Sequence, residues 1–259
     1  MNPHTPSSST PSPSAHITPS AAPRKVLLSW SSGKDSAWTL YQLQQNPAYE
    51  VIGLLTTFNQ TFDRVAMHAV RRQLVRLQAE AAGLPLYEIE LPYPCSNEEY
   101  EQRMGAFIEQ AKALGTELFA FGDLYLRDIR AYREQRLAGT GLTPIFPLWD
   151  IPTDQLAADM LAAGLVAHLT CIDPRRVPAS WAGRRFDQQL LAECPEGVDP
   201  CGENGEFHTF VSAGPMFRQP IAVTGGEVVE REGFVFADLL PASASARQSG
   251  TACTLATSE

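Results

Sequence analysis

The sequence predicts an α/β protein: a Rossmann-like parallel sheet with helices on both faces, followed by a smaller α/β C-terminal domain. Three observations predict it. Short apolar runs alternate four times with stretches at helical spacing between Arg24 and Asp123, the pattern of strands joined by crossover helices. Hydrophobic residues make up 44% of the 259 positions, enough for a sizeable core. A Ser/Gly turn, Ser31-Ser32-Gly33-Lys34-Asp35-Ser36, stands directly between the first run and the first helix.

Each element follows from its pattern. Lys25–Trp30 and Val51–Thr57 are continuous apolar runs and read as buried strands. Between them, 37–45 carries Ala37, Leu40 and Tyr41 on one side and reads as a helix. A second helix is expected over 66–82, where Val70, Leu74, Leu77 and Ala81 recur at helical spacing with Arg and Gln opposite; Gly83 and Pro85 end it. Leu86–Leu91 alternates as a strand with one side less buried. Asn97 is placed to cap a helix over 98–114, and 118–121 is a fourth strand ending at Gly122-Asp123. In such sheets ligands lie beyond the carboxyl ends of the strands. Ser31, Thr56 and Asp123 all fall at those ends.

The second half is less regular. Helices are expected over 128–137, 153–163 and 180–192. Strands are expected over 165–172, 207–211, 221–223 and 234–239, with a glycine-rich turn at 199–206. A nucleotide-binding domain is therefore assigned to 24–128 and a substrate domain to 129–240. They are flanked by Ser/Pro-rich or small polar tails at 1–23 and 241–259, which are expected to be disordered.

Composition narrows the function classes. A net charge of −9 argues against DNA as a partner. No apolar run approaches the roughly 18–20 residues of a membrane span, so no membrane association is expected. The five cysteines are scattered without a CxxC pair, which fits a reduced, cytoplasmic protein. Homo-oligomerisation is left open.

The Ser31–Ser36 turn carries the chemistry. A turn between a strand and a helix offers backbone N–H groups, hydroxyls and the positive end of a helix dipole to an anion. Ser31, Ser32, Gly33, Lys34, Asp35 and Ser36 are thus candidate phosphate contacts, with Thr56, His68 and Gly122 nearby as further nucleotide contacts. Lys34 adds a full charge, and Asp35 and Asp123 are candidate Mg²⁺ ligands. A Walker A loop is excluded, because Leu28 stands at the first glycine position and Asp35 follows the lysine.

The turn instead resembles the SGGxDS signature of N-type ATP pyrophosphatases, with Ser32 in place of the second glycine. The stretch Gly122-Asp123, Glu134, 141–149 (GLTPIFPLW) and 201–210 (CGENGEFHTF) resembles the diphthine–ammonia ligase family, and the likeness runs from about Arg24 to Leu240. The resemblance implies ATP and Mg²⁺ as cofactors, adenylation of a carboxylate acceptor, and amide formation with ammonia. It implies catalytic roles for Lys34, Asp123, Glu203 and Glu206, the two glutamates binding ammonium or taking its proton, and substrate contacts for Glu134 and His208. Asn204 and His208 are similar to bacterial members, in which diphthine is not the expected acceptor, so the acceptor stays open. Two other readings remain: a tRNA-modifying ATP pyrophosphatase, and an ATP-binding sensor without turnover.

Overall fold

The structure is a computed structural model, and it describes residues 22–65 and 70–242. His68, the expected start of the second helix, and most of both tails lie outside the described residues.

The first sheet contains β1 (Arg24–Ser29), β2 (Tyr49–Asn59), β3 (Arg64–Val65), β4 (Leu86–Leu91), β5 (Leu118–Ala120) and β6 (Thr143–Ile145). β2 pairs in parallel with β1 on one edge and β4 on the other, and β1 pairs in parallel with β5, which pairs with β6. The spatial order β4-β2-β1-β5-β6 therefore reverses direction between β1 and β5. That reversal is the switch point where open α/β sheets leave a crevice. β3 runs antiparallel to the last two residues of β2, on the edge that β1 has already left. It thus stands beyond the carboxyl end of β1.

Alternation along β1 explains the layering. Val26 and Leu28 belong to one core cluster, with α1 (Lys34–Gln45) and α2 (Arg72–Ala82). Leu27 faces the other way, into a cluster with Phe107, Ile108 and Ala111 of α3 (Asn97–Ala113) and Leu137 of α4 (Arg127–Leu137). Helices therefore cover both faces, as the sequence predicts. Ser96, one residue earlier than expected, caps α3 by accepting from the Glu99 amide.

The second sheet contains β7 (Val166–Ile172), β8 (Arg185–Phe186), β9 (Phe207–Ala213), β10 (Val223–Arg231) and β11 (Phe234–Pro241), and every pairing in it is antiparallel. α5 (Thr153–Ala162) precedes it. Leu156, Leu169, Phe207 and Phe210 share one apolar cluster with Val26, Leu28 and Leu40, so the second sheet packs on the α1–α2 side of the first.

Four readings are corrected. The first sheet takes in β6, beyond the expected boundary at 128/129. The helix expected over 180–192 is a short 3₁₀ turn (Ala179–Trp181), β8, and a five-residue α6 (Gln188–Ala192). Gly183 at φ +80° breaks it, and Trp181 and Phe186 are both buried at a five-residue separation that no helix face accommodates. β10 extends to Arg231 although nearly all of it is exposed, because a two-residue turn with Glu232 at φ +53° and Gly233 at φ +80° returns it onto β11. Finally, Arg72 and Gln78 of α2 are buried rather than solvated. Arg72 lies between Asp63, Glu88 and Glu90, whose charges offset the cost of burying its own.

Candidate active site

A cavity of about 420 Å³ opens at the switch point. Ser29, Trp30 and Ser31 line it from the end of β1, Thr57 from β2, and Phe119 and Phe121 from β5 and just beyond. Met104, Ile108 and Leu137 supply apolar wall, while Arg133 and Arg136, paired with Asp123 and Glu101, bring charged groups. An apolar chamber with cations at its edge suits a base and its phosphates. Arg133 and Arg136 escaped sequence reading. Arg133 lies with its guanidinium carbon 4.8 Å from the Phe121 ring centre and its Nε 3.4 Å from Asp123, a tertiary arrangement with no local signature.

The turn at the mouth of this cavity is held from both sides. Ser32 is fully buried at φ +72°, the region that favours glycine. This explains why the resembled signature has glycine here. Its carbonyl accepts from the Val211 amide (3.0 Å) and from Gln78 Nε2 (3.0 Å), while its hydroxyl has no partner. Ser32 is thus held inside the fold, and Ser31 is the residue of the turn that lines the cavity. Ser31 and Ser36 share a hydrogen bond of 3.1 Å, and Ser36 donates to the Gly33 carbonyl (3.0 Å). Gly122 packs on the start of α1: a Cβ there would stand 3.0 Å from the Asp35 carbonyl carbon. Thr56 spends its hydroxyl on the Trp30 carbonyl (2.8 Å) and is buried, so it shapes the turn rather than lining the cavity.

Lys34 corrects a simple expectation. Its ammonium does not line the cavity. It is buried beneath the second sheet, 2.8 and 2.9 Å from the two Asp35 carboxylate oxygens and donating to the Cys201 carbonyl. The rings of Phe186 and Phe207 flank it at 5.9 and 5.6 Å. Burial opposes the charge, but Asp35, Cys201 and Glu203 outweigh it and hold the ammonium protonated above its usual range. The Lys34 amide donates to Thr209 Oγ1 (3.0 Å), so β9 seals the first turn of α1.

On this sealed side stands the 199–206 turn. Glu203 accepts from the Leu124 amide (2.8 Å). Burial, with Asp35 and Asp123 adding like charge, pushes its pKa up to about 7 against the pull of that amide and of Lys34. A carboxyl group that titrates near neutrality is suited to proton transfer. Glu206 is fully buried, and one of its oxygens accepts from Arg176 (3.0 Å), Asn204 (3.2 Å) and the Asp199 amide (3.3 Å). It therefore organises the turn. Asp199 does more of this work: it accepts from the Cys201 amide (2.7 Å), Thr153 (2.8 Å) and Tyr125 (3.1 Å). Burial and the Asp199 charge push Tyr125 up to about 12, so it remains a donor. Asp199 was missed as a site residue, although an Asp two residues ahead of the amide it caps is a readable turn signal.

Two residues expected at the substrate lie away from the first cavity. Glu134 is exposed on α4 and pairs with Arg130 at 2.8 Å. His208 lines a second cavity across β9, where burial and Lys34 lower it to about 4 and keep the ring neutral. Among the described residues no three His, Cys, Asp or Glu side chains form a metal cage. Asp35 is committed to Lys34, which leaves Asp123 as the one expected ligand beside the cavity's arginine.

A parallel sheet with a cavity at its switch point, a strained turn at a helix start and charged edges defines a nucleotide-binding α/β protein. Comparison sharpens the class. Residues 24–143 match the diphthamide synthase N-terminal domain and 153–238 the diphthamide synthase C-terminal domain, in that order. The chain belongs to the diphthamide synthase family. It is 28% identical over 228 residues to diphthine–ammonia ligase of Danio rerio, which covers 80% of this chain and 89% of the relative. It is 25% identical over 237 residues to that of Homo sapiens, covering 80% and 85%. The Schizosaccharomyces pombe ligase is 26% identical over 227 residues, but the chain spans only 37% of that protein's length. Among the described residues no helix is long and apolar enough to cross a membrane.

Proposed function

We propose that this chain is an ATP-dependent amide-forming ligase that adenylates a carboxylate, releases pyrophosphate, and then joins the activated acyl group to ammonia with release of AMP. The observation that carries this reading is the double use of one helix start. The turn before α1 faces the nucleotide-sized cavity, and the first residues of α1, Lys34 and Asp35, meet Glu203 on the other side.

A carboxylate cannot expel oxide, so an oxygen must first be converted to a leaving group. The carboxylate oxygen attacks the α-phosphorus and the bond to pyrophosphate breaks. Ammonia then forms the C–N bond as the bond to AMP breaks, and a proton leaves the nitrogen. Glu203, half ionised near pH 7, is the natural acceptor for that proton. Lys34 locks the turn against the Cys201 carbonyl and keeps the loop aligned with Glu203. Arg133 and Arg136 face the phosphates. Mg²⁺, held by the phosphates of ATP and at most by Asp123, would offset pyrophosphate charge.

The test is a screen of carboxylates with ATP and ammonium chloride, read as pyrophosphate release and amide product. Release that requires both ammonium and one class of carboxylate supports the proposal. Release indifferent to both would contradict it.

A further inference from the structure

The second cavity, about 440 Å³, lies between the β2–β3 end of the first sheet and the β10–β11 hairpin of the second. Its walls are aromatic: Phe62, Tyr93, Phe234 and Phe236. Phe62 and Tyr93 pack edge to face with ring centres 5.3 Å apart, yet stay 50% and 57% exposed. Two adjacent aromatic side chains left half in water at a cavity mouth are unexplained by folding, since burying them is worth about 1.5–3 kcal/mol each.

The two cavities adjoin. Val65 of β3 lines both, and it stands beyond the carboxyl end of β1, beside the phosphate turn. Paired charges stand near this junction. Asp238 accepts from Arg64 (2.8 Å) and from Arg71 (3.1 Å), so two guanidinium groups surround one carboxylate. Asp238 is held down at about 2, against burial, by those arginines. It remains ionised at neutral pH, and Arg64 and Asp238 balance each other on the lining. The further charges on the lining, Arg231 and Glu232, cancel.

We infer that the second cavity is the acceptor site, and that the acceptor is a carboxylate carried on a planar, apolar, ring-sized body. The body stacks among Phe62, Tyr93, Phe234 and Phe236. The carboxylate points past Val65 toward the nucleotide, the direction that adenylation requires. His208 lies on the cavity wall with its ring neutral. This inference rests on the ligase reading and adds the substrate class to it.

Phenylacetate and acetate are the probes, compared by saturation-transfer NMR on the whole chain with ATP binding followed in parallel by calorimetry. Gly-Gly-Phe offers the same ring and carboxylate on a peptide and separates a free acceptor from a chain-borne one. Phenylacetate or the peptide should bind at least about tenfold more tightly than acetate. Phe62→Ala should weaken that binding about 3–10-fold, the worth of one aromatic contact, and Phe236→Ala should do the same, both with ATP affinity unchanged. Phe62 is half exposed, so its removal leaves the fold intact. Ring-bearing carboxylates that bind no better than acetate, or bind equally well to both variants, would overturn the inference. Failure of the ligase reading would show differently, as ATP binding without pyrophosphate release when ammonium and the probe are present.

Discussion

The two sides of the α1 start are held by different means. The Ser31–Ser36 turn takes its shape locally, from one residue at positive φ, hydroxyl bonds between neighbours and a helix beginning at Lys34, and distant Gln78, Thr209 and Val211 then clamp it. The 199–206 turn is shaped by two carboxylates, Asp199 and Glu206, that gather donors from Tyr125, Thr153 and Arg176, each at least thirty residues away. A local device can be rebuilt by a short stretch of chain. A non-local one depends on the whole fold, and so reports whether the two halves have come together. Lys34 joins the two.

Substitutions that strike each side separately should break this contrast to different degrees. Lys34→Met should have the largest effect, because it removes the joining charge and leaves Asp35 buried without its partner. AMP formation should fall by about 100-fold, the loss that misplacement of a binding loop by about 1 Å can cause, measured in a steady-state assay. Asp199→Ala should cost about 3 kcal/mol of unfolding free energy in urea, since charged hydrogen bonds contribute roughly 1.5–3 kcal/mol each and several are lost together. Asp199→Asn, which retains one acceptor, should recover part of it.

Glu203 sharpens the contrast through pH. Its folded pKa of about 7 lies above the 4.5 of the free side chain. Between these values the native state binds more protons than the unfolded state, so the stability contributed by Glu203 falls as pH rises. The melting temperature of the wild type should therefore drop relative to Glu203→Gln between about pH 5 and pH 8. A parallel dependence in the two proteins would remove Glu203 as a proton carrier. Ser32→Gly should have the smallest effect and the opposite sign. Relief of the positive φ should stabilise the chain by about 1 kcal/mol, measured by chemical denaturation, with ATP affinity retained.

Legibility in the sequence follows the same division. The alternation of strands and helices, the turn and its place at the sheet's carboxyl edge were readable because each is encoded in consecutive residues. Gln78 belongs to a helix whose Arg and Gln positions read as lying opposite the apolar stripe, yet it is fully buried and bridges the Ser32 and Val211 carbonyls. Nothing in the helical period distinguishes a polar residue that clamps two backbones from one that faces water. β6, three residues long, was invisible because its pairing partner β5 lies more than twenty residues away. The direction of Lys34 was unreadable for the same reason: its acceptor, Cys201, is 167 positions distant. Glu134 was misplaced because a family motif fixes a position in the chain and leaves the side chain's partner, here Arg130 one turn earlier, unspecified.

The central claim is that this cleft directs cleavage between the α and β phosphates of ATP. ATP labelled at the α-phosphate, incubated with ammonium and an accepted carboxylate, tests it most directly. The account predicts label in AMP, with unlabelled pyrophosphate released in equal amount. Label recovered in ADP would contradict it.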